Sequence, residues 1–253
     1  MSPRVVSTYE IGLGEVVVSY GQPSQRGRKL YGTGGVIPYS TLWRTGANAA
    51  TKLTFSENVT IEGIELLKGE YAVLSEIDAD KWTVMLYNYT KSSWSAYVSE
   101  TPKLKVSLPH TVMHDNAESL NIGVSHVNLD RGKLYIQWGK RKVEMDIVAD
   151  SHSKVMKNIE KTVQGTSSNE YFLAALYLHE KNIELETALK YIRKVTSSES
   201  ALFFHFYREA VILKDLGRED EMKAAASRAL ASARQAGNDD FIRLNEALLN
   251  NSN

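Results

Sequence analysis

The character of the chain changes at about residue 150, and this change limits its fold more than any other feature. Residues 5–149 contain short runs rich in Val, Ile, Tyr and Trp, separated by Gly, Pro, Asn and Asp, as is typical of β-strands. After Asp150 there is no proline, and Ala, Leu, Glu and Lys dominate with apolar residues at helical spacing. We therefore predict an α+β protein, with a β-domain at 1–150 and an α-helical region at 151–253.

The first region is predicted to form an antiparallel β-sandwich or a jelly-roll-like barrel. Thr51–Phe55 and Val143–Val148 alternate apolar and polar residues, as half-buried antiparallel strands do. Asp78-Ala79-Asp80 and Asp130-Arg131-Gly132 are typical of hairpin turns. Eight strands without an intervening helix favour this fold class. The predicted strands are Glu15–Tyr20, Thr51–Phe55, Glu70–Ile77, Lys81–Tyr89, Leu104–Leu108, Leu120–Val127, Lys133–Trp138 and Lys142–Val148.

The second region contains an internal repeat of 34 residues. Ala188 and Met222 are 34 residues apart (222 − 188), and the same offset joins apolar residues at Phe172/Phe206, Leu176/Ala210, Ile192/Ala226 and Val195/Ala229. This is the period of tetratricopeptide repeats, so the region is predicted to form tetratricopeptide-like helical hairpins. The predicted helices lie near 152–163, 169–181, 184–196, 200–216, 219–236 and 238–249.

Composition excludes several classes of function. The 30 basic and 30 acidic residues give no net charge, which argues against nucleic acid as a partner. Absence of cysteine excludes disulfides, thiolate metal sites and cysteine nucleophiles. The longest apolar run, Tyr171–Leu178, is too short to span a bilayer. Phosphate-binding and nucleophile-elbow motifs are also missing, so we predict no cofactor and no catalytic residue.

One segment, Val16–Ser56, contains five cations and no acidic residue. Guanidinium and amide groups of Arg28, Arg44 and Asn48 could converge on an anion, with Gly46 allowing close backbone approach beside Trp43. The same residues could instead form a structural corner, with each arginine capping carbonyls or pairing with a carboxylate. We regard the structural interpretation as somewhat more favourable, and these five residues as the candidate ligand site.

Histidine supplies a weaker candidate. His110, His114 and His126, with Asp115, could provide imidazole and carboxylate ligands for a metal or a hydrolytic centre. Residues 109–118 read as a loop, where the spacing of two histidines enforces no geometry. A chance surface pair is therefore favoured, and we predict no metal site.

The run "YGQPSQRGRKLYG…GGVIPYSTLWRTGANAATKLTF" resembles the bacterial domain of unknown function 2911 family, common among Bacteroidetes. The resemblance covers about Pro3–Val148, and its specific core is Trp43-Arg44-Thr45-Gly46-Ala47-Asn48. It implies a β-rich fold and a periplasmic or exported location, although no signal segment precedes Ser2-Pro3-Arg4. It implies no activity, because none is assigned to the family. Some members carry a helical tail.

These observations favour a non-enzymatic binding or scaffold protein of the cell envelope. In this hypothesis the helical tail contacts a protein partner or docks on the β-domain. An alternative is binding of a small anionic ligand or a carbohydrate at the Arg28/Arg44/Asn48 segment. A third is an unrecognised hydrolase that uses the histidines.

Overall fold

A computed structural model describes residues 2–149, 155–157 and 167–250. The chain divides into two compact units, Met1–Ser153 and Lys154–Asn253. The described part of the first unit consists of antiparallel sheets and that of the second of helices, which confirms the α+β prediction. The boundary predicted at 150/151 lies outside the described residues and stays a prediction.

The first unit contains two antiparallel sheets. Their orders are β1-β2-β3-β6-β7-β8 and β5-β4-β10-β9. The strands are β1 (Arg4–Ile11), β2 (Gly14–Gly21), β3 (Ala47–Phe55), β4 (Val59–Ile61), β5 (Ile64–Leu66), β6 (Gly69–Ile77), β7 (Lys81–Asn88), β8 (Leu104–Pro109), β9 (Thr111–Asn128) and β10 (Arg131–Ala149).

The two sheets share one hydrophobic core, so the unit is a β-sandwich. Val18 and Leu53 contribute from the six-stranded sheet, while Ile122 and Ile136 contribute from the four-stranded sheet. Inward and outward residues alternate along each strand because successive side chains point to opposite faces.

The six-stranded sheet is covered on its second face as well. Ala72, Leu74, Met85 and Tyr87 form a smaller buried cluster with Tyr97, which lies in a 3₁₀ helix at Trp94–Tyr97. Strands covered on both faces need apolar residues at every position. This explains why β6 and β7 read as almost continuous apolar runs.

Several strand predictions differ from the structure. The two strands predicted at 133–138 and 142–148 are one strand, β10, in which Gly139 has φ +56° and the register with β9 shifts. A glycine bulge bends the strand without ending it. Strand β9 also begins at Thr111, not at Leu120, and β1, β4 and β5 were not predicted.

The helical predictions agree closely with the structure. The helix predicted at 152–163 lies outside the described residues, apart from 155–157, which are helical. Gly217 and Gly237 have positive φ just beyond two helices, as C-terminal caps require. The helices are α1 (Ser168–Glu180), α2 (Leu185–Thr196), α3 (Phe203–Asp215), α4 (Glu219–Ala236) and α5 (Asp239–Asn250).

Consecutive helices pack on one another around a separate core. Ala188 and Met222, which are related by the 34-residue offset, are both buried in it. Helices α2 and α4 begin 34 residues apart, at Leu185 and Glu219. Among the described residues, no helix is long and apolar enough to cross a membrane.

Candidate functional site

The candidate site is built on the long connection between β2 and β3, residues 22–46. Three anchors hold it against the sandwich. Ser24 bridges Ser119 on β9, Leu30 and Ile37 are buried in the core, and the backbone of Trp43 exchanges two hydrogen bonds with Ser75 on β6, at 2.7 and 2.9 Å. A connection this long keeps a defined shape only when its backbone groups find such partners.

An open cleft of about 450 Å³ lies at the start of this connection. It brings together three separate parts of the chain, since its walls come from the N-terminal residues, the 22–28 segment and the start of β3. Its lining residues are Ser2, Pro3, Gln22, Pro23, Ser24, Arg26, Arg28 and Asn48. We call this surface the arginine cleft.

Arg28 has a guanidinium group that is oriented by the backbone of its own turn. Its Nε donates to the carbonyl of Gln25 at 2.9 Å, and its Nη2 donates to the carbonyl of Ser24 at 2.7 Å. These bonds leave Nη1 available. Arg28 forms no ion pair with a carboxylate in the described part of the chain, so its charge is not neutralised there.

Arg26 is a second cation in the cleft that the sequence prediction did not select. Its backbone N–H donates to Oε1 of Glu118 at 2.7 Å, but its exposed guanidinium has no protein partner within the described ranges. Arg26 adopts φ +53° before Gly27, with φ +69°. The Arg-Gly-Arg spacing was the available sequence signal, because a tight glycine turn can place the flanking side chains on the same surface.

Asn48 closes the cleft on the side of β3. Its Nδ2 donates to the carbonyl of Ser2 at 3.1 Å, and its φ is +65°, a conformation that asparagine tolerates better than most residues. Asn48 therefore fixes the N-terminal wall. The structure brings two predicted residues, Arg28 and Asn48, into one cleft.

Arg44 does not line this cleft. Its guanidinium carbon lies 5.9 Å from the ring centroid of Trp94, above the smaller cluster on the outer face of the six-stranded sheet. This is a cation–π contact, which stabilises packing at a partly exposed surface. The predicted convergence of Arg28 with Arg44 is therefore not seen.

Trp43 and Gly46 both pack against other parts of the β-unit. The Trp43 ring stacks on Trp138, with ring centroids 5.9 Å apart. A Cβ at Gly46 would lie 2.7 Å from Oγ1 of Thr51 and 3.2 Å from the carbonyl oxygen of Gly21. The close approach that was predicted at Gly46 is therefore an approach to the protein's own backbone and side chains.

Between them, Thr45 carries a buried hydroxyl. Its Oγ1 lies 2.7 Å from Oγ of Ser75, and its carbonyl accepts a hydrogen bond of 2.7 Å from Oγ1 of Thr51. This network satisfies polar groups that would otherwise be buried without partners. It supports the interpretation of residues 43–46 as a structural corner.

The histidines do not assemble into one centre. His114 lies in the wide bulge of β9 beside Arg141, whereas His126 lies at the opposite end, beyond the pair Ser125–Lys133. The intervening part of β10 corresponds to roughly 20 Å at about 3.3 Å per residue. Among the described residues there is no group of three or more His, Cys, Asp or Glu side chains that could hold a metal.

His110 lies in a different environment. Burial lowers the pKa of His110, and the nearby positive charge of Arg141 lowers it further, while Asp80 opposes the shift. Arg141 itself is held between the rings of Tyr31 and Tyr39, with its Nη1 donating to the carbonyl of Asp78 at 2.9 Å. The guanidinium of Arg141 therefore takes part in packing and in a backbone hydrogen bond beside His110.

Comparison with known proteins gives a family but no activity. The family described as "Protein of unknown function (DUF2911)" matches residues 2–147, which is more than half of the chain. No curated protein and no solved structure matches the chain. The matched residues include the arginine cleft and the corner at 43–46. The chain therefore belongs to the DUF2911 family of proteins of unknown function.

Proposed function

We propose that this protein is a non-enzymatic binding protein of the cell envelope, and that its β-unit binds a small anionic ligand in the arginine cleft. The observation that carries the proposal is the presence of two arginines, Arg26 and Arg28, that line one cleft and whose guanidinium groups have no carboxylate partner in the described chain. An unpaired cation in a concave surface attracts carboxylates and sulfates.

The two arginines differ in what they can offer. Arg28 is held in place by two backbone carbonyls, so little conformational entropy is lost when its remaining Nη1 binds an oxygen. Arg26 can present a complete fork of donors, which suits the two oxygens of a carboxylate. The cleft is open, so binding should be strongest at low salt.

The test is a titration with succinate and with glucuronate, followed by calorimetry and by backbone amide shifts at low ionic strength. Saturable binding with shifts at residues 22–28 and 48 is expected. Arg26→Ala is the cleanest variant, because its guanidinium forms no hydrogen bond or ion pair with a described residue, and it should weaken binding about tenfold.

Arg44→Ala is the matched control, because it removes the same side chain from outside the cleft and should leave affinity unchanged. The proposal is rejected if neither anion binds. It is also rejected if Arg26→Ala and Arg44→Ala have equal effects.

An envelope location is part of the same proposal. It is supported by the family resemblance, and the absence of cysteine is compatible with an oxidising compartment. After fractionation of the source cells, the protein should be recovered with the periplasmic or exported fraction. Recovery with cytosolic markers alone would overturn this part.

A second candidate function is protein contact through the helical unit, in the manner of tetratricopeptide-like arrays. Aromatic rings run across α1, α3 and α5, with Phe172 against Phe204, Phe204 against Phe203, and Phe203 against Phe241. Leu173 and Leu244 on α1 and α5 are 53% and 43% exposed. Exposed leucines beside a run of aromatic rings are the observation that favours a partner surface on this unit.

This candidate is tested by affinity capture from the source-cell extract with three proteins. The natural protein and Lys190→Glu, an exposed charge change on α2, should recover the same partner. The double variant Leu173→Glu/Leu244→Glu should lose it while keeping its helical content. Identical recovery with all three proteins would reject this function.

A further inference from the structure

A second concave surface lies where β6 begins and β7 ends. Its volume is about 620 Å³, larger than the arginine cleft, and no residue of the arginine cleft lines it. Its walls are the β5–β6 turn, the end of β7 and the residue before β8. Its lining includes Glu65, Lys68, Glu70, Asn88, Tyr89 and Lys103, and we call this surface the mixed groove.

The walls of the mixed groove are held in place by the protein itself. Tyr89 donates its backbone N–H to the carbonyl of Glu70 at 2.8 Å. Lys52 Nζ lies 2.5 Å from Oε1 of Glu70 and also 5.2 Å from the ring centroid of Tyr89, so one ammonium group orients both residues. The hydroxyl of Tyr71 donates to the carbonyl of Leu67 at 2.7 Å and fixes the turn.

Four polar side chains in this groove have no hydrogen-bond or ion-pair partner within the described ranges. They are a carboxylate, an amide and two ammonium groups: Glu65, Asn88, Lys68 and Lys103. With Glu70 included, two negative and two positive side chains line the groove. This balance does not favour a strongly charged ligand, because attraction to one pair is offset by repulsion from the other.

We propose that the mixed groove binds a neutral saccharide. Sugar hydroxyls both donate and accept, so they can use the carboxylates of Glu65 and Glu70 as acceptors, the ammonium groups as donors and the amide of Asn88 as both. Tyr89 also lines the groove, and an aromatic side chain can pack against the C–H groups of a sugar. A cavity of this size has room for one or two sugar rings.

The experiment uses the full chain and three probes, maltose, cellobiose and lactose, each titrated by amide chemical shifts. At least one probe should bind saturably, with shifts at residues 65–71 and 88–89. Asn88→Ala should weaken that binding about three- to tenfold, as expected for the loss of one or two hydrogen bonds. Asn88 is exposed and its side chain forms no hydrogen bond with a described residue, so the variant should fold normally.

Asn128→Ala is the matched control, because Asn128 is also an exposed strand residue and lies on β9, outside the groove. It should leave sugar affinity unchanged, as should Arg26→Ala in the arginine cleft. The inference is overturned if no probe saturates, if the shifts map elsewhere, or if both asparagine variants weaken binding equally. Since the two surfaces share no residue, failure here leaves the anion proposal intact.

Discussion

At the scale of single residues, the run Trp43–Asn48 shows how residues that are adjacent in sequence can have different surroundings. Trp43 packs into the sandwich core, whereas Arg44 covers the cluster on the opposite face of the same sheet. Thr45 then directs its hydroxyl to Ser75. Neighbouring side chains in extended backbone point in opposite directions, so two residues close in sequence need not share a site.

Gly46 provides a prediction at this scale. Gly46→Ala should destabilise the β-unit by about 2 kcal/mol or more, because the new Cβ would lie too close to Oγ1 of Thr51 and to the carbonyl oxygen of Gly21. Residue 46 also has a φ of +157°, which alanine rarely adopts. Urea unfolding followed by tryptophan fluorescence measures the change. Gly34→Ala is the control, since Gly34 has φ +74° but open space around it, and should cost about 1 kcal/mol. Equal losses would contradict the close-packing argument.

At the scale of elements, Glu209 joins three helices of the second unit. It is 5% exposed on α3, and its carboxylate pairs with Arg193 of α2 at 3.5 Å and with Arg228 of α4 at 2.8 Å. A carboxylate at this depth requires both partners, because a buried charge without compensation is costly. The network therefore fixes the packing of consecutive helical hairpins.

The helical unit also contains an exposed arginine–glutamate pair with which this buried network can be compared. Arg234 pairs with Glu246 at the same 2.8 Å, but that glutamate is 44% exposed. Arg228→Ala should destabilise the helical unit by about 2 kcal/mol, since it weakens the compensation of a buried carboxylate. Arg234→Ala should cost about 0.5 kcal/mol or less. Thermal unfolding followed by circular dichroism distinguishes them, and equal effects would show that burial does not matter here.

A pH dependence follows from the first turn of α3. His205 Nδ1 accepts the backbone N–H of Leu202 at 3.1 Å, among the rings of Phe172 and Phe204, and burial lowers the pKa of His205. The unfolded chain therefore takes up the proton first as the pH falls. The contribution of His205 is complete above about pH 6.5 and is lost as the pH falls through its lowered folded pKa.

The measurement is the free energy of unfolding between pH 7.5 and pH 5. The natural protein should lose stability over this range, and His205→Gln should lose less, because glutamine can still accept the cap hydrogen bond but does not titrate. Parallel pH profiles for the two proteins would show that His205 does not contribute.

The sequence predicted helices better than strands, for a physical reason. The ends of α4 at Glu219 and Ala236 agree with the prediction, because apolar spacing and a glycine cap are local signals. Strand ends depend on pairing with distant partners. Strand β1 was not predicted because it is defined by its pairing with β2, which the sequence does not show. Strand β10 was predicted as two strands because the glycine of a bulge resembles the glycine of a turn in sequence.

At the scale of the whole molecule, each unit has its own hydrophobic core. The sandwich core and the helical core contain no described residue in common. We predict that residues 1–153 and residues 154–253, expressed separately, each fold and unfold cooperatively. Calorimetry and circular dichroism of the fragments provide the test. Insolubility or loss of cooperative unfolding in either fragment would show that the cores depend on each other.

The candidate sites are also properties of the whole β-unit, and this limited their prediction. The sequence singled out Arg28 and Asn48, but it could not show that Ser2 lines the same cleft or that Arg44 lies elsewhere. The mixed groove joins Glu65 to Lys103, which are 38 residues apart (103 − 65), and neither carries a recognisable motif. Such surfaces depend on strand order, which is set by long-range pairing.

The anchoring of the arginine cleft has a consequence for the time at which the protein becomes competent to bind. The turn at Ser24 is held by Ser119, about 95 residues later, and Leu120 donates its N–H to the carbonyl of Pro23 at 2.9 Å. Closing such a distant contact is slow relative to forming local structure. During synthesis the cleft would therefore form only after β9 has emerged from the ribosome. A ligand would then bind to the folded cleft and would not assist the folding of the first strands.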